Sequence, residues 1–262
     1  MPGRRIAWAW LAAALVLFAG DLAAHLPITD FCDYLARRFG FEEYDRATRD
    51  VFLAAGLATA AALWWAPANR RAVRAGVGVL AASVGLAKAL LLVSAIENVH
   101  YPQYALIGLL LIRAGLGVEN AWLAAVGLGA VDEAYQHAVL PRGTPAYLDA
   151  NDIVLNAIGA LLGVVLVLAW FGPADRGRVL SIRAAVLLLA PAALVAAATG
   201  PLVSRPFWST TPGGRHFHLL SAFEAVIALG LIWAVVRRLA LAEPLARRIG
   251  AVPSAQVVAD SA

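Results

Sequence analysis

Along most of this chain, apolar runs of membrane length alternate with short polar breaks. A helix needs about 20 predominantly apolar residues to cross a hydrocarbon core of about 30 Å. By that measure the pattern predicts eight spans, at roughly 6–26, 50–66, 72–96, 101–116, 119–140, 152–171, 180–199 and 216–240. Pro67, Pro141, Pro173 and Pro201 follow span ends, where they stop helices. The first run follows Arg4 and Arg5 but is long and lacks a small-x-small cleavage site, so it reads as a retained span. Residues 27–49 read as an outer loop carrying an amphipathic helix, and 250–262 as a disordered tail. The fold class expected is all-α, a polytopic helical membrane protein.

Composition agrees. Of 262 residues 61% are hydrophobic and 15% charged, where soluble domains average about 25% charged. Mean hydropathy is +0.75. A single cysteine, Cys32, excludes an intramolecular disulfide and a cysteine-based metal cluster. The basic excess does not point to nucleic acid, because the arginines sit at span ends. Thirteen of them, including Arg4, Arg5, Arg70, Arg71, Arg74, Arg113, Arg237 and Arg238, fall on one side of the predicted topology, and seven on the other. Positively charged loops stay inside, so both termini are expected in the cytoplasm. Trp208 and Tyr147 read as aromatics of the membrane interface. The stretches AAGLATAAAL, AVGLGA and AIGALLG read as sites of close helix packing.

The polar residues inside the spans gather near one end. Asp21 and His25 lie near the outer end of span one, and Lys88 about two turns in from the outer end of span three. Glu97, His100, Tyr101 and Tyr104 lie where spans three and four meet. Asp132, Glu133 and Gln136 end span five, Arg142, Tyr147 and Asp149 follow in the loop, and Asp152 and Asn156 open span six one turn apart. Glu224 is placed two turns into span eight, behind His216 and His218. Ionisable groups in a bilayer are costly and face the protein interior or water. Several at one depth predict a polar chamber open to the outer face.

Asp132-Glu133-x-x-Gln136, then Pro141-Arg142, then Asp152-x-x-x-Asn156-x-x-Gly159 resembles the VanZ-like family of bacterial membrane proteins. His100, Tyr104 and Gly108 resemble that family's preceding helix, and the likeness covers roughly residues 90–172. It divides the chain into N-terminal spans (1–70), a VanZ-like core (71–172), C-terminal spans (173–249) and the tail. The chain departs from the pattern in the ten positions that separate Arg142 from Asp152. Asp149 intervenes, and the Asn156 and Gly159 spacing favours Asp152 for the family position. The resemblance implies a bacterial cytoplasmic membrane protein acting in the cell envelope, related to proteins of glycopeptide (teicoplanin) resistance.

Three functions fit these residues. The first is recognition or modification of a polar lipid or lipid-linked envelope precursor. Glu133, His100 and Asp152 would supply acid–base chemistry. Gln136, Arg142, Asn156, Tyr104, Asp149, Lys88 and Asp132 would bind the substrate. Lys88 and Arg142 suit an anionic headgroup, and the carboxylates with His100 suit a divalent metal. The second is a lipid flippase or small-molecule transporter. The third is a non-catalytic membrane module, its charges a buried ion-pair network with Lys88 bridged to Asp132 or Glu133. A bare inner half and no visible repeat weigh against transport.

Overall fold

The computed structural model describes residues 2–66, 70–92, 94–139, 149–171, 207–210 and 216–241. Seven α-helices run in chain order: α1 Pro2–Phe39, α2 Phe41–Trp64, α3 Arg70–Leu90, α4 His100–Arg113, α5 Val118–Val139, α6 Ala150–Trp170 and α7 Ala222–Leu241. A 3-10 turn, Ala95–Val99, precedes α4, and an antiparallel hairpin of β1 Phe207–Thr210 and β2 His216–Leu219 precedes α7. Among the described residues, three segments are long and apolar enough to cross a membrane by length and composition: Arg5–Phe39, Arg71–Leu90 and Ala150–Trp170. They support a membrane protein. The seventh expected span, 180–199, and the tail lie outside the described residues.

α6 is the axle. It packs against α3, α4, α5 and α7 and is buried nearly all round, as a helix apolar on every face should be. Its small residues admit α4. A Cβ at Gly159 would lie 2.6 Å from the His100 carbonyl oxygen, and one at Gly163 would collide with the Ala105 carbonyl. These glycines, four residues apart, form the small-x-x-x-small stripe of close-packed membrane helices. Across the bundle, the Trp122 indole on α5 donates to the Ala157 carbonyl at 2.9 Å. Trp233 on α7 donates to Glu119 on α5 at 2.9 Å.

The end opposite the polar cluster is held by arginines over rings. Arg113, closing α4, lies 5.7 Å from the Trp10 ring of α1 and 4.8 Å from the Phe171 ring after α6. Arg74 lies over Trp64, and Arg237 over Trp233. α4 ends by a Schellman turn, with Leu116 N–H to the Leu111 carbonyl and Gly115 N–H to the Ile112 carbonyl. Gly115 takes φ +93°, a conformation glycine adopts without strain.

Three expectations are corrected. The chain does not leave the helix at Pro27: α1 runs on to Phe39 and turns at Gly40, φ +90°. Proline removes one helical donor, but Ile28, Phe31, Cys32 and Leu35 keep a helical apolar stripe beyond it. The Thr29 hydroxyl donates to the His25 carbonyl at 2.9 Å. Second, α4 has only 14 residues, about 21 Å at 1.5 Å per residue, short of the bilayer core. Third, the segment placed at the start of span eight is strand β2, and its helix starts at Ala222.

Candidate functional site

The short α4 sets the depth of the site. Its Arg113 end lies level with Trp10 and Phe171, so its first residue, His100, starts inside the bundle and is buried. The 3-10 turn leads into it, with Ser94 N–H donating to Glu97 Oε1 at 3.1 Å and Ala95 N–H to Asp45 Oδ1 of α2 at 2.6 Å. Pro102 falls in the first turn of α4, where its missing N–H costs nothing. Tyr104, one turn further, is fully buried.

Four helices deliver side chains to one place. Tyr104 Oη of α4 donates to Asp132 Oδ2 of α5 at 3.3 Å. Gln136, one turn on, spans both acids of α5, from Nε2 to Asp132 Oδ1 at 3.2 Å and to Glu133 Oε1 at 3.4 Å. His100 Nε2 lies 3.6 Å from Asp152 Oδ2 of α6. Gln103 hydrogen-bonds Asp21 of α1, which lies within electrostatic reach of Asp132 and His100. Glu133 lies within reach of Asp152, Asp149, Asp132 and Glu97. Asp149 caps α6, accepting the Asn151 N–H at 2.9 Å. Partial burial and the neighbouring Asp152 hold its carboxyl up to about 7.

Asn156 forms the floor. It lies one turn below Asp152 on α6, is 0% exposed, and packs its amide against Gly129, one turn before Glu133 on α5. Among the described residues, neither its Oδ1 nor its Nδ2 has a hydrogen-bond partner, and His100 Nδ1 and the Tyr101 hydroxyl are also unpaired. A buried polar atom without a partner costs on the order of 1–3 kcal/mol. The expected open chamber is a packed cluster over the described residues. Asp132 and Glu133 are 2% and 3% exposed, and only the outer rim, with the Asp152 side chain at 17%, meets solvent.

The structure brings together Asp21, His100, Tyr104, Asp132, Glu133, Gln136, Asp149, Asp152 and Asn156. It does not bring in Lys88. That side chain is exposed, turned away from the buried stripe of α3 formed by Val73, Leu80 and Ala87, and it makes no ion pair with Asp132 or Glu133. Both the depth and the direction differ from expectation: α3 ends at Leu90, so Lys88 lies in its last turn and not two turns in. Arg142 and Tyr147 lie outside the described residues. Glu224 is not embedded as expected. It opens α7, accepting from Ser221 N–H at 2.9 Å and Oγ at 3.0 Å and pairing with His218 Nε2 at 3.2 Å. His216 faces Thr210 across the hairpin, Nδ1 to Oγ1 at 3.1 Å.

Sequence reasoning missed Asn151. It is buried, its Nδ2 donates to the carbonyls of Leu91 (3.1 Å) and His218 (2.8 Å), and its Oδ1 accepts the Leu220 N–H at 3.0 Å. It ties the start of α6 to the end of α3 and to the hairpin beside the cluster. An asparagine opening a helix next to two aspartates reads as one more capping residue, and nothing local marks it as a junction.

Chemically, the site is rich in acceptors: the carboxyls of Asp21, Glu97, Asp132, Glu133, Asp149 and Asp152 lie around the His100 imidazole and one another. His100 and Asp152 form a close histidine–carboxylate pair, and Asp132 with Glu133 forms a carboxyl pair joined by Gln136. Among the described residues, no group of three or more His, Cys, Asp and Glu side chains is arranged to hold a metal ion. Comparison with known proteins gives no match among family models, curated sequences or solved structures.

Proposed function

We propose that this chain recognises, and through His100 and the carboxylates modifies, the polar head of an envelope lipid or lipid-linked precursor that enters from the outer leaflet. The observation that carries this reading is the fully buried Asn156, with both amide atoms unpaired, at the bottom of a cluster built by four helices of an otherwise apolar bundle. A bundle held together by apolar packing has no need of such a group. A ligand that supplies one donor and one acceptor would complete it. The topology that goes with this reading has both termini in the cytoplasm and the VanZ-like sequence elements from His100 to Gly159 forming the site. It sets the chain in the bacterial cytoplasmic membrane and among proteins that protect the envelope against glycopeptides.

The test is lipid retention. Protein extracted in mild detergent is weighed by native mass spectrometry, beside Asn156→Leu. Retained phospholipid or lipid-linked precursor that Asn156→Leu loses, with unchanged elution in size exclusion, supports the reading. Equal lipid retention by both proteins sinks it and leaves a structural polar network.

A further inference from the structure

The charge balance of the cluster carries one step more, which rests on the proposed lipid-recognition reading and names the headgroup it takes. Asp21, Asp132, Glu133, Asp149 and Asp152 converge from three helices and the cap of one of them, and one basic side chain, His100, sits among them against Asp152. The adjoining segment 140–148 holds one further cationic residue in sequence, Arg142. Lys88, which would have balanced the acids, points away and is exposed. Carboxylates buried together in a low-dielectric site repel, and a cation between them relieves that repulsion.

A second observation, independent of the acids, says that the cluster is unfinished. Among the described residues, the Asn156 amide is fully buried and unpaired at the floor, and His100 Nδ1 is unpaired as well. The side chains already present do not fill these valences. Anionic headgroups are disfavoured by the surrounding carboxylates. A bare metal ion is disfavoured because, among the described residues, no three of these side chains are arranged to coordinate one. A primary ammonium fits both observations: it is cationic, and its three N–H donors can each meet a separate acceptor.

We infer that the cluster bounded by Asp132, Glu133, Asp152 and Asn156 binds a primary ammonium group carried on a polar lipid head. The amine donates to the Asp132 and Glu133 carboxylates and to Asn156 Oδ1. The hydroxyl or phosphate oxygens of the same head accept from Asn156 Nδ2. No bond is made or broken in this step.

The experiment uses the full chain in mild detergent and three probes with matched acyl chains or none: phosphatidylethanolamine, its N-acetyl derivative, and water-soluble glycerophosphoethanolamine. Acetylation removes the charge and leaves the phosphate and chains. Binding of phosphatidylethanolamine at least tenfold tighter than the N-acetyl lipid is expected. That preference should collapse in Glu133→Gln and Asp152→Asn, each checked for folding by circular dichroism and size exclusion. If either variant fails to fold, the wild-type ratio between the two lipids still decides.

Equal retention of both lipids overturns the amine inference and leaves the lipid reading standing. Retention of neither lipid, with glycerophosphoethanolamine bound, keeps the amine site and sinks the lipid reading. Retention of no probe sinks both. Displacement of phosphatidylethanolamine by manganese with a metal adduct in the mass spectrum overturns the inference in favour of a cation site.

Discussion

Gly159→Ala tests the packing that places His100. The added methyl would stand 2.6 Å from the His100 carbonyl oxygen, 2.8 Å from that of Tyr101 and 3.1 Å from the Tyr101 Cα. Ordinary contact begins near 3.4 Å, so the worst approach is about 0.8 Å too close. All three neighbours are backbone, and no rotamer change relieves them. α4 must be pushed off α6, or its first turn must deform. Replacing glycine by alanine inside a helix gains about 1 kcal/mol on its own, and overpacking a tight core costs about 1–3 kcal/mol, occasionally more. With backbone on every side the cost belongs at or above the top of that range, for a net loss of about 2 kcal/mol. For a domain of this size that is a fall of about 4–8 °C in Tm. The control is Gly85→Ala on α3, where a Cβ meets nothing within 4 Å, so Tm should hold or rise slightly. The assay is thermal unfolding in mild detergent, followed by tryptophan fluorescence. Equal stability of Gly159→Ala and wild type, or an equal fall in Gly85→Ala, would refute the argument that the α4–α6 contact is a close backbone approach.

Asn151→Leu leaves the Leu91 and His218 carbonyls and the Leu220 N–H without their partner. A loss on the order of 2–3 kcal/mol is expected, read as a lower Tm and as faster proteolysis within the hairpin. Arg113→Ala removes the guanidinium from over Trp10 and Phe171, at about 1–2 kcal/mol for two such contacts. Arg113→Lys should recover only part of it. The pH dependence of Asp149 has a definite sign. Its carboxyl rises from 3.8 to about 7 on folding, so the native state holds a proton that the unfolded chain has released. The stability this contributes is complete below about 4 and is lost as pH rises through 7. Asp149→Asn, which keeps the cap, should flatten the Tm profile between pH 4 and 7, and an unchanged slope would assign the dependence to another group.

Apolar run length was enough to find the helices with regular ends. The expected spans 119–140 and 152–171 correspond to α5 Val118–Val139 and α6 Ala150–Trp170. Local rules failed where a longer pattern outvoted them. Pro27 looked like an end, yet the apolar stripe beyond it carried the helix twelve residues further to Phe39. HFHL looked like the start of a span because alternating and helical patterns cannot be told apart over four residues. Its partner strand is Phe207–Thr210. The site was partly legible for the same reason. Helical spacing gave the depth of Asp132, Glu133, Asp152 and Asn156, and depth alone was enough because α5 and α6 face each other there. Lys88 shows the limit: its neighbour Ala87 is buried, and one residue is about 100° of rotation.

Asn151 also has a consequence for how the chain is made. Its partners lie 60 residues before it and 67 and 69 residues after it. Leu91 is already synthesised when α6 leaves the ribosome, but His218 and Leu220 are not. The start of α6 therefore enters the membrane with one amide oxygen and half its donors unspent. Closure waits until β2 is translated. A chain truncated before residue 216 holds every helix up to α6 and still lacks the β2 half of this junction. Asn151 thereby ties the assembly of the early helices to the arrival of the last one.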